Sequence, residues 1–305
     1  MDFQSKLHAF TNDISKIEKP KHFPSPFNKE PHVLAKLAAE QCLEFLKTCE
    51  SLKQNPKYID LLNHNRIGKM FGVLVVENSI GAFCFLAAFS GKLLGENSYE
   101  YFVPPIFDMN LPNAHYKKEE KELLKISENI AALEMDSLFK DQKTKYQNLR
   151  TQLKQSLNIN KSQKSSILSK IKKLDHLFAT NHRERLTQLD VLKQTRKLKS
   201  KALQKWLFEQ YEISNKFLNI ETLENIFGEG NIPSGAGECA APKLFHFAFQ
   251  HHLKPICLAE FWFGRSTNSN DKQTENYYPS CTEKCLPILN FMLDENFEPK
   301  KGNLV

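Results

Sequence analysis

Long hydrophobic runs are missing from this 305-residue chain: no stretch approaches the roughly 20 apolar residues that a membrane-spanning helix needs, so a membrane partner is not expected. The opening stretch, MDFQSKLHAFTNDISKIEKP, lacks a basic segment followed by an apolar core, which argues against a secretory signal and for the cytoplasm. The seven cysteines, Cys42, Cys49, Cys84, Cys239, Cys257, Cys281 and Cys285, are odd in number. In a long chain without an export signal this argues against a disulfide framework and leaves thiols that are reduced, buried or metal-bound. Between Lys117 and Lys205 neither glycine nor proline occurs, which suits uninterrupted helices.

What is present is an ordinary globular composition, 41% hydrophobic and 25% charged, with enough length for one large domain or two smaller ones. The net charge of +7 hides an asymmetry. From Lys143 to Lys205 the chain holds 17 basic and 3 acidic residues, a local +14, which leaves −7 for all the rest. A concentrated cationic segment favours a polyanion, because displaced counterions make phosphate binding favourable without any reading of sequence. A solvated lysine-rich helix face carries the same pattern.

Residues 1–31, with Pro20, Pro24, Pro26 and Pro31, show little periodicity and read as an irregular arm. Val33, Leu34, Leu37, Ala38, Cys42, Phe45, Leu46 and Cys49 recur at helical spacing and predict a core-facing helix with both cysteines on its apolar side. GKMFGVLVVENSIGAFCFLAAFSG predicts a β-hairpin around ENS, apolar on both faces and hence covered by helices. From about Lys117 to Leu157 and from about Ser165 to Lys205, apolar residues three or four apart predict a coiled-coil seam. Ile126, Ile130, Leu133, Tyr146, Leu149, Leu153 and Leu157 supply one side, and Ile167, Ile171, Leu174, Phe178, Leu189 and Leu192 the other. With NINKSQK as the turn, the expectation is an antiparallel hairpin with uninterrupted arms of about 40 residues, each about 60 Å long.

Residues 202–227 read as helical, GEGNIPSGAG as a loop, CAAPKLFHFAFQHH as a short helix and PICLAEFWFG as a buried strand. CTEKCLPILNFML starts the last helix, ahead of a polar tail over 294–305. The expected domains are the arm over 1–31, a discontinuous α/β core over 32–116 and 206–293, and a basic helical insertion over 117–205.

Cys281 and Cys285 stand four apart at that helix start, on one face, where free N–H groups and the helix dipole favour thiolates. Cys239 opens another helix after the glycine-rich loop. Three thiolates converging from two helix starts suit zinc, which is the candidate cofactor. His246, His251 and His252 are conceivable fourth ligands, none of them selected by spacing. The plain alternative is three small buried hydrophobes.

The order helix, β-hairpin, cysteine-opened helix, strand, cysteine-opened helix is also that of the zinc nucleobase deaminases. The expected fold class is therefore α/β, with a cytidine-deaminase-like layered core and an inserted antiparallel coiled-coil hairpin. Two departures stand against deaminase chemistry. Two residues after Cys239 stands Ala241, where those enzymes carry a proton-shuttling Glu, and the pair is spaced C-x3-C rather than C-x2-C. Glu238 and Glu260 are the nearest carboxylates, and neither occupies the motif position.

The blocks GKMFGVLVV, LAAFSG, FVPPIFD, GAGECAAPKL, LAEFWFG and YYPSCTEKCLPIL occur in this order between Pro31 and Leu293. Together they resemble the long N-terminal region of some bacterial RluA-type RNA pseudouridine synthases, the basic helical insertion included. In that family a catalytic module follows, marked by an HRLD stretch whose Asp acts on the target uridine. The closest string here, HRERLTQLD at 182–190, lies within the expected coiled coil, so no catalytic residue is assigned. The resemblance implies an accessory RNA-binding module, with ribosomal or transfer RNA as partner and a pseudouridine synthase catalytic module in the same or a separate chain. Lys193, Arg196, Lys197, Lys199 and Lys201 of KQTRKLKSK are the residues expected on the phosphates. The rival readings are a divergent zinc-dependent deaminase-like hydrolase, with Cys239, Cys281 and Cys285 as ligands, and a coiled-coil module that docks on a protein.

Overall fold

The structure, a computed structural model, describes residues 3–62, 68–108, 114–159, 163–228, 230–266 and 271–293. The expected tail over 294–305 and the middle of the NINKSQK turn lie outside the described residues. The chain divides into two compact units, residues 1–111 with 206–305, and residues 112–205.

The first unit begins with strand β1 (His8–Ala9), helices α1 (Val33–Thr48), α2 (Glu50–Lys53) and α3 (Pro56–Leu62), and strands β2 (Lys69–Glu77) and β3 (Phe83–Phe89). The second unit holds α4 (Ala114–Met135), α5 (Ser137–Ile159), α6 (Lys164–Asn181) and most of α7 (Arg183–Gln210). The first then resumes with β4 (Glu212–Ser214), β5 (Ile220–Thr222), α8 (Leu223–Phe227), α9 (Ala240–Gln250), β6 (Lys254–Phe263), β7 (Tyr277–Tyr278) and α10 (Cys285–Leu293).

The five-stranded sheet runs β1-β3-β2-β6-β7, with all neighbours antiparallel. β2 is central: Leu74 stands opposite Leu86 on one side and Leu258 on the other. Side chains alternate across a strand. Phe71, Val73 and Val75 therefore join Phe85, Ala87, Cys257 and Phe261 in one core with α1, while Leu74, Val76, Leu86, Ala88 and Leu258 join a second core with α9 and α10. The expected two-sided hairpin is thus a sheet with helices on both faces. α1 starts after Pro31, where the His32 ring accepts the Leu34 N–H, and Cys42 lies on its buried face. α9 is buried from Ala240 to Phe249, which matches its almost wholly apolar sequence.

Two expectations for this unit need correction. The arm over 1–31 is not irregular throughout: His8 and Ala9 pair with Phe85 and Cys84, and buried Lys6 donates to the carbonyls of Tyr99 (2.9 Å) and Glu100 (2.5 Å). A two-residue strand is too short to show a period. Residues 202–227 are not one helix either, because α7 stops at Gln210 and the β4–β5 hairpin follows. Asn215 is the cause: its side-chain oxygen accepts the N–H groups of Phe217 and Asn219, both at 2.9 Å, and closes the turn that carries Leu218 at φ +63°.

In the second unit each expected 40-residue arm is two helices. Asp136 separates α4 from α5 and caps the latter, its Oδ1 accepting the Phe139 N–H at 2.9 Å. His182 separates α6 from α7 and packs against Phe139 and Phe178. Arg185 joins the two breaks, paired with Asp136 at 2.9 Å and lying over the Phe139 ring. A capping side chain can end a helix as a proline would, because it offers the backbone N–H groups another acceptor. Of the residues named for the seam, Tyr146 stacks on Phe178 at 4.2 Å, and Ile167, Ile171 and Leu189 are buried. Leu149, also named for it, is 49% exposed.

Phe71 is fully buried, with the rings of Phe89, Phe102, Phe261 and Phe263 around it. Phe71→Ala should lower the unfolding free energy by about 3–5 kcal/mol in urea denaturation. Ile80→Ala, at a hairpin tip that is 85% exposed, should change it by less than about 0.5 kcal/mol. An unchanged midpoint for Phe71→Ala would contradict the packing around β2.

Candidate metal centre

Cys239 is the extended residue that precedes α9, and its side chain makes no capping bond to that helix. Gly237 brings the chain to it at φ +83°, where a Cβ would come within 2.7 Å of the Tyr211 ring, so only glycine fits. Cys285 is the first residue of α10. Cys281, expected inside that helix, lies one turn ahead of it, where the backbone N–H groups of Lys284 and Cys285 favour its thiolate. The three sulfurs lie within 4.8 Å of one another, with 3.4 Å between Cys281 and Cys285, and all three thiols are free of disulfides. This group can hold a metal ion.

The three sulfurs share their protons unequally. Cys281 is held well below the ordinary thiol range, first by bonds from the Cys239 and Cys285 thiols and then by the backbone N–H groups at the start of α10. Cys239 is pushed up chiefly by its bond to Cys281, and Cys285 by its bonds to Cys239 and Cys281. Cys281, the most exposed of the three, is thus the one whose surroundings favour the thiolate.

None of the three candidate histidines belongs to this group. His246 sits seven residues along α9 from Cys239, about 10 Å at 1.5 Å per residue. It is buried, its Nδ1 accepts the Ser214 N–H at 3.2 Å, and burial pushes its pKa down to about 4. His251 packs on Phe3 and Phe247, and His252 turns the chain out of α9 at φ +54°.

The two carboxylates named from the sequence have different surroundings. Glu238 accepts from the Tyr211 hydroxyl and pairs at 3.1 Å with Lys243, whose side chain is 1% exposed. The Lys243 ammonium also reaches the carbonyls of Phe89 (3.3 Å) and Gly91 (3.4 Å). Glu260 lies on β6, buried, on the face it shares with Leu258. Its carboxylate accepts the Ser280 hydroxyl at 2.5 Å, and burial, aided by Cys281 and opposed by Ser280 and the Ala241 N–H, pushes its pKa up to about 7. Ser280 was not anticipated. The visible signal was a lone acid within PICLAEFWF, since a strand buried on both faces has to give a carboxylate a partner.

Of the five basic residues expected on phosphate, three are engaged within their own unit. Lys193 pairs with Glu134 (2.5 Å), Lys199 pairs with Glu119 (3.2 Å) and Glu122 (2.6 Å), and Arg196 donates to Ser127 (2.7 Å). Lys197 and Lys201 are exposed. Lys145, Lys154, Lys164, Lys170, Lys172 and Lys173, on α5 and α6, are exposed too.

Lys243→Ala should cost about 3–5 kcal/mol in urea denaturation, because it leaves the Glu238 charge without its buried counterion. Lys243→Met combined with Glu238→Gln should recover much of that loss, and equal losses for the single and double variants would refute the pairing. No protein-family model, curated protein or solved structure matches this chain, and its function has to be read from the cysteine group, its carboxylate neighbours and the charge on its helices.

Proposed function

We propose that the first unit is a zinc-holding, deaminase-like domain, and that the chain is an RNA-binding accessory module for an RluA-type pseudouridine synthase rather than the catalyst. The observation that carries the zinc reading is the convergence of Cys239, Cys281 and Cys285. Zinc–sulfur bonds of about 2.3 Å in a tetrahedron put sulfurs about 3.8 Å apart; Cys281 and Cys285 stand at 3.4 Å, near that value, and all three sulfurs lie within 4.8 Å of one another. Two further features support the scaffold: β2 runs antiparallel to both β3 and β6, and the cysteines stand at the starts of α9 and α10 on either side of β6. Bound there, zinc supplies a tetrahedral cross-link between two segments about 40 residues apart in the chain. Ala241 at the position where deaminases carry their proton shuttle speaks for a binding role over hydrolysis.

Elemental analysis of protein purified without added metal should find about one zinc per chain. Cys281→Ser should reduce that content and lower the melting temperature. A metal-free wild-type chain with the same melting temperature after chelation would remove the zinc reading.

RNA is favoured by the exposed lysines of α5 and α6. Among the described residues Lys145, Lys154, Lys164, Lys170, Lys172 and Lys173 make no ion pair, whereas Lys193 and Lys199 spend their charge on α4. RNA affinity should fall steeply with salt and discriminate little between sequences. Glutamine at those six lysines should weaken binding and flatten the salt dependence while the circular dichroism stays helical. Unchanged affinity would favour the coiled coil as a protein-docking arm.

A further inference from the structure

The geometry points to Glu260 as the positioning residue of the metal centre: its carboxylate ties the segment that carries Cys239 to the segment that carries Cys281 and Cys285. This inference rests on the zinc reading given above.

Glu260 is 5% exposed and sits on a strand face whose neighbours are apolar, a costly place for a carboxylate. Its two polar neighbours lie on the two cysteine-bearing segments. The Ala241 N–H, two residues after Cys239, lies toward it and favours its charged form, and the Ser280 hydroxyl, one residue before Cys281, donates to it at 2.5 Å. The first of these answers a need of α9. The opening N–H groups of a helix have no partner inside it, a side chain at the cap normally supplies one, and Cys239 supplies none because its sulfur is directed into the thiol group. A carboxylate reaching over from β6 takes that place, where the helix dipole also favours it. The second, a hydrogen bond, holds the residue just before Cys281.

Room for this arrangement is made on β2. Gly72 stands opposite Glu260 in the sheet, and a Cβ there would lie 3.0 Å from the Ala240 Cβ, 3.2 Å from Leu244 Cδ1 and 3.5 Å from the Glu260 Cγ. A larger residue would push α9 or Glu260 away. Glycine at this register thus lets the start of α9 and the Glu260 stem lie close over the same strand.

Side chains that hold metal ligands in place typically change metal affinity by 10–100-fold when removed. The test uses the full chain loaded with zinc or cobalt, with affinity read by competition against a chelator and ligand geometry by the visible bands of bound cobalt. Glu260→Ala should weaken zinc by about 10–100-fold and shift the cobalt bands. Glu260→Gln should restore both, since its amide oxygen can accept the Ala241 N–H and its NH2 can donate to Ser280. Ser280→Ala removes one tie alone and should give a smaller loss in the same direction, which keeps the test open should Glu260→Ala fail to fold. Wild-type zinc affinity and cobalt bands in Glu260→Ala, or in Ser280→Ala where the former does not fold, would overturn the inference and leave the zinc reading standing. A wild-type chain that takes up no zinc would remove that reading and this one together.

Discussion

The apolar character of β2 on both faces is the constraint on which the first unit depends. A strand that presents Phe71, Val73 and Val75 to one side and Leu74 and Val76 to the other cannot leave either face in water. Covering the first face takes α1; covering the second takes α9 and α10. Because α9 is buried along nearly its whole length, its start is held against the sheet, and the residue before it, Cys239, inherits that position. β6 lies beside β2 and leads through β7 to the segment that carries Cys281 and Cys285. The cysteine group is therefore a by-product of covering a sheet, assembled from segments far apart in sequence by contacts that are almost all apolar.

Polar ties then adjust what apolar packing has placed. The buried Lys243 ammonium meets Glu238 and two carbonyls, and the buried Glu260 carboxylate meets Ser280 and Ala241. Each acid has one partner on a segment that carries the cysteines, Lys243 on α9 for Glu238 and Ser280 beside Cys281 for Glu260. A buried ion pair or carboxylate adds little net stability over an apolar replacement, but its bonds have direction, which apolar contacts lack. A metal centre needs donor atoms placed to a few tenths of an ångström, and directional bonds of this kind serve that requirement.

Much of this was legible in the chain. The β2–β3 hairpin, α1, α9, β6 and the meeting of Cys239 with Cys281 and Cys285 all follow from periodicity and from cysteines placed at helix starts. What escaped has local causes. β1 is too short to show a period, and the β4–β5 turn hangs on the side chain of Asn215 within a stretch of good helix formers. The breaks at Asp136 and His182 occur in a segment free of glycine and proline, where an aspartate cap does what neither of those residues was there to do. The histidines of α9 were considered as ligands because spacing alone does not say how far along a helix a site extends. Glu260 was legible as a lone acid in an apolar strand, but not its partners, which come from residues 19 positions before it and 20 after it.

The charge on the helices shows the limit of counting residues. A local charge of +14 puts KQTRKLKSK, near the end of the counted window and spread over several helix faces, forward as the phosphate contact. In the folded unit the acids of α4, which lie outside the counted window, meet Lys193 and Lys199, while α5 and α6 keep most of their lysines in water. Ion pairs between exposed groups contribute little to stability, but they lower the local potential that a phosphate would feel. The positive field therefore belongs more to α5 and α6 than to the most lysine-dense stretch of the sequence. A polyanion drawn by that field meets long, hydrated side chains on two packed helices, which suits backbone contact without base readout.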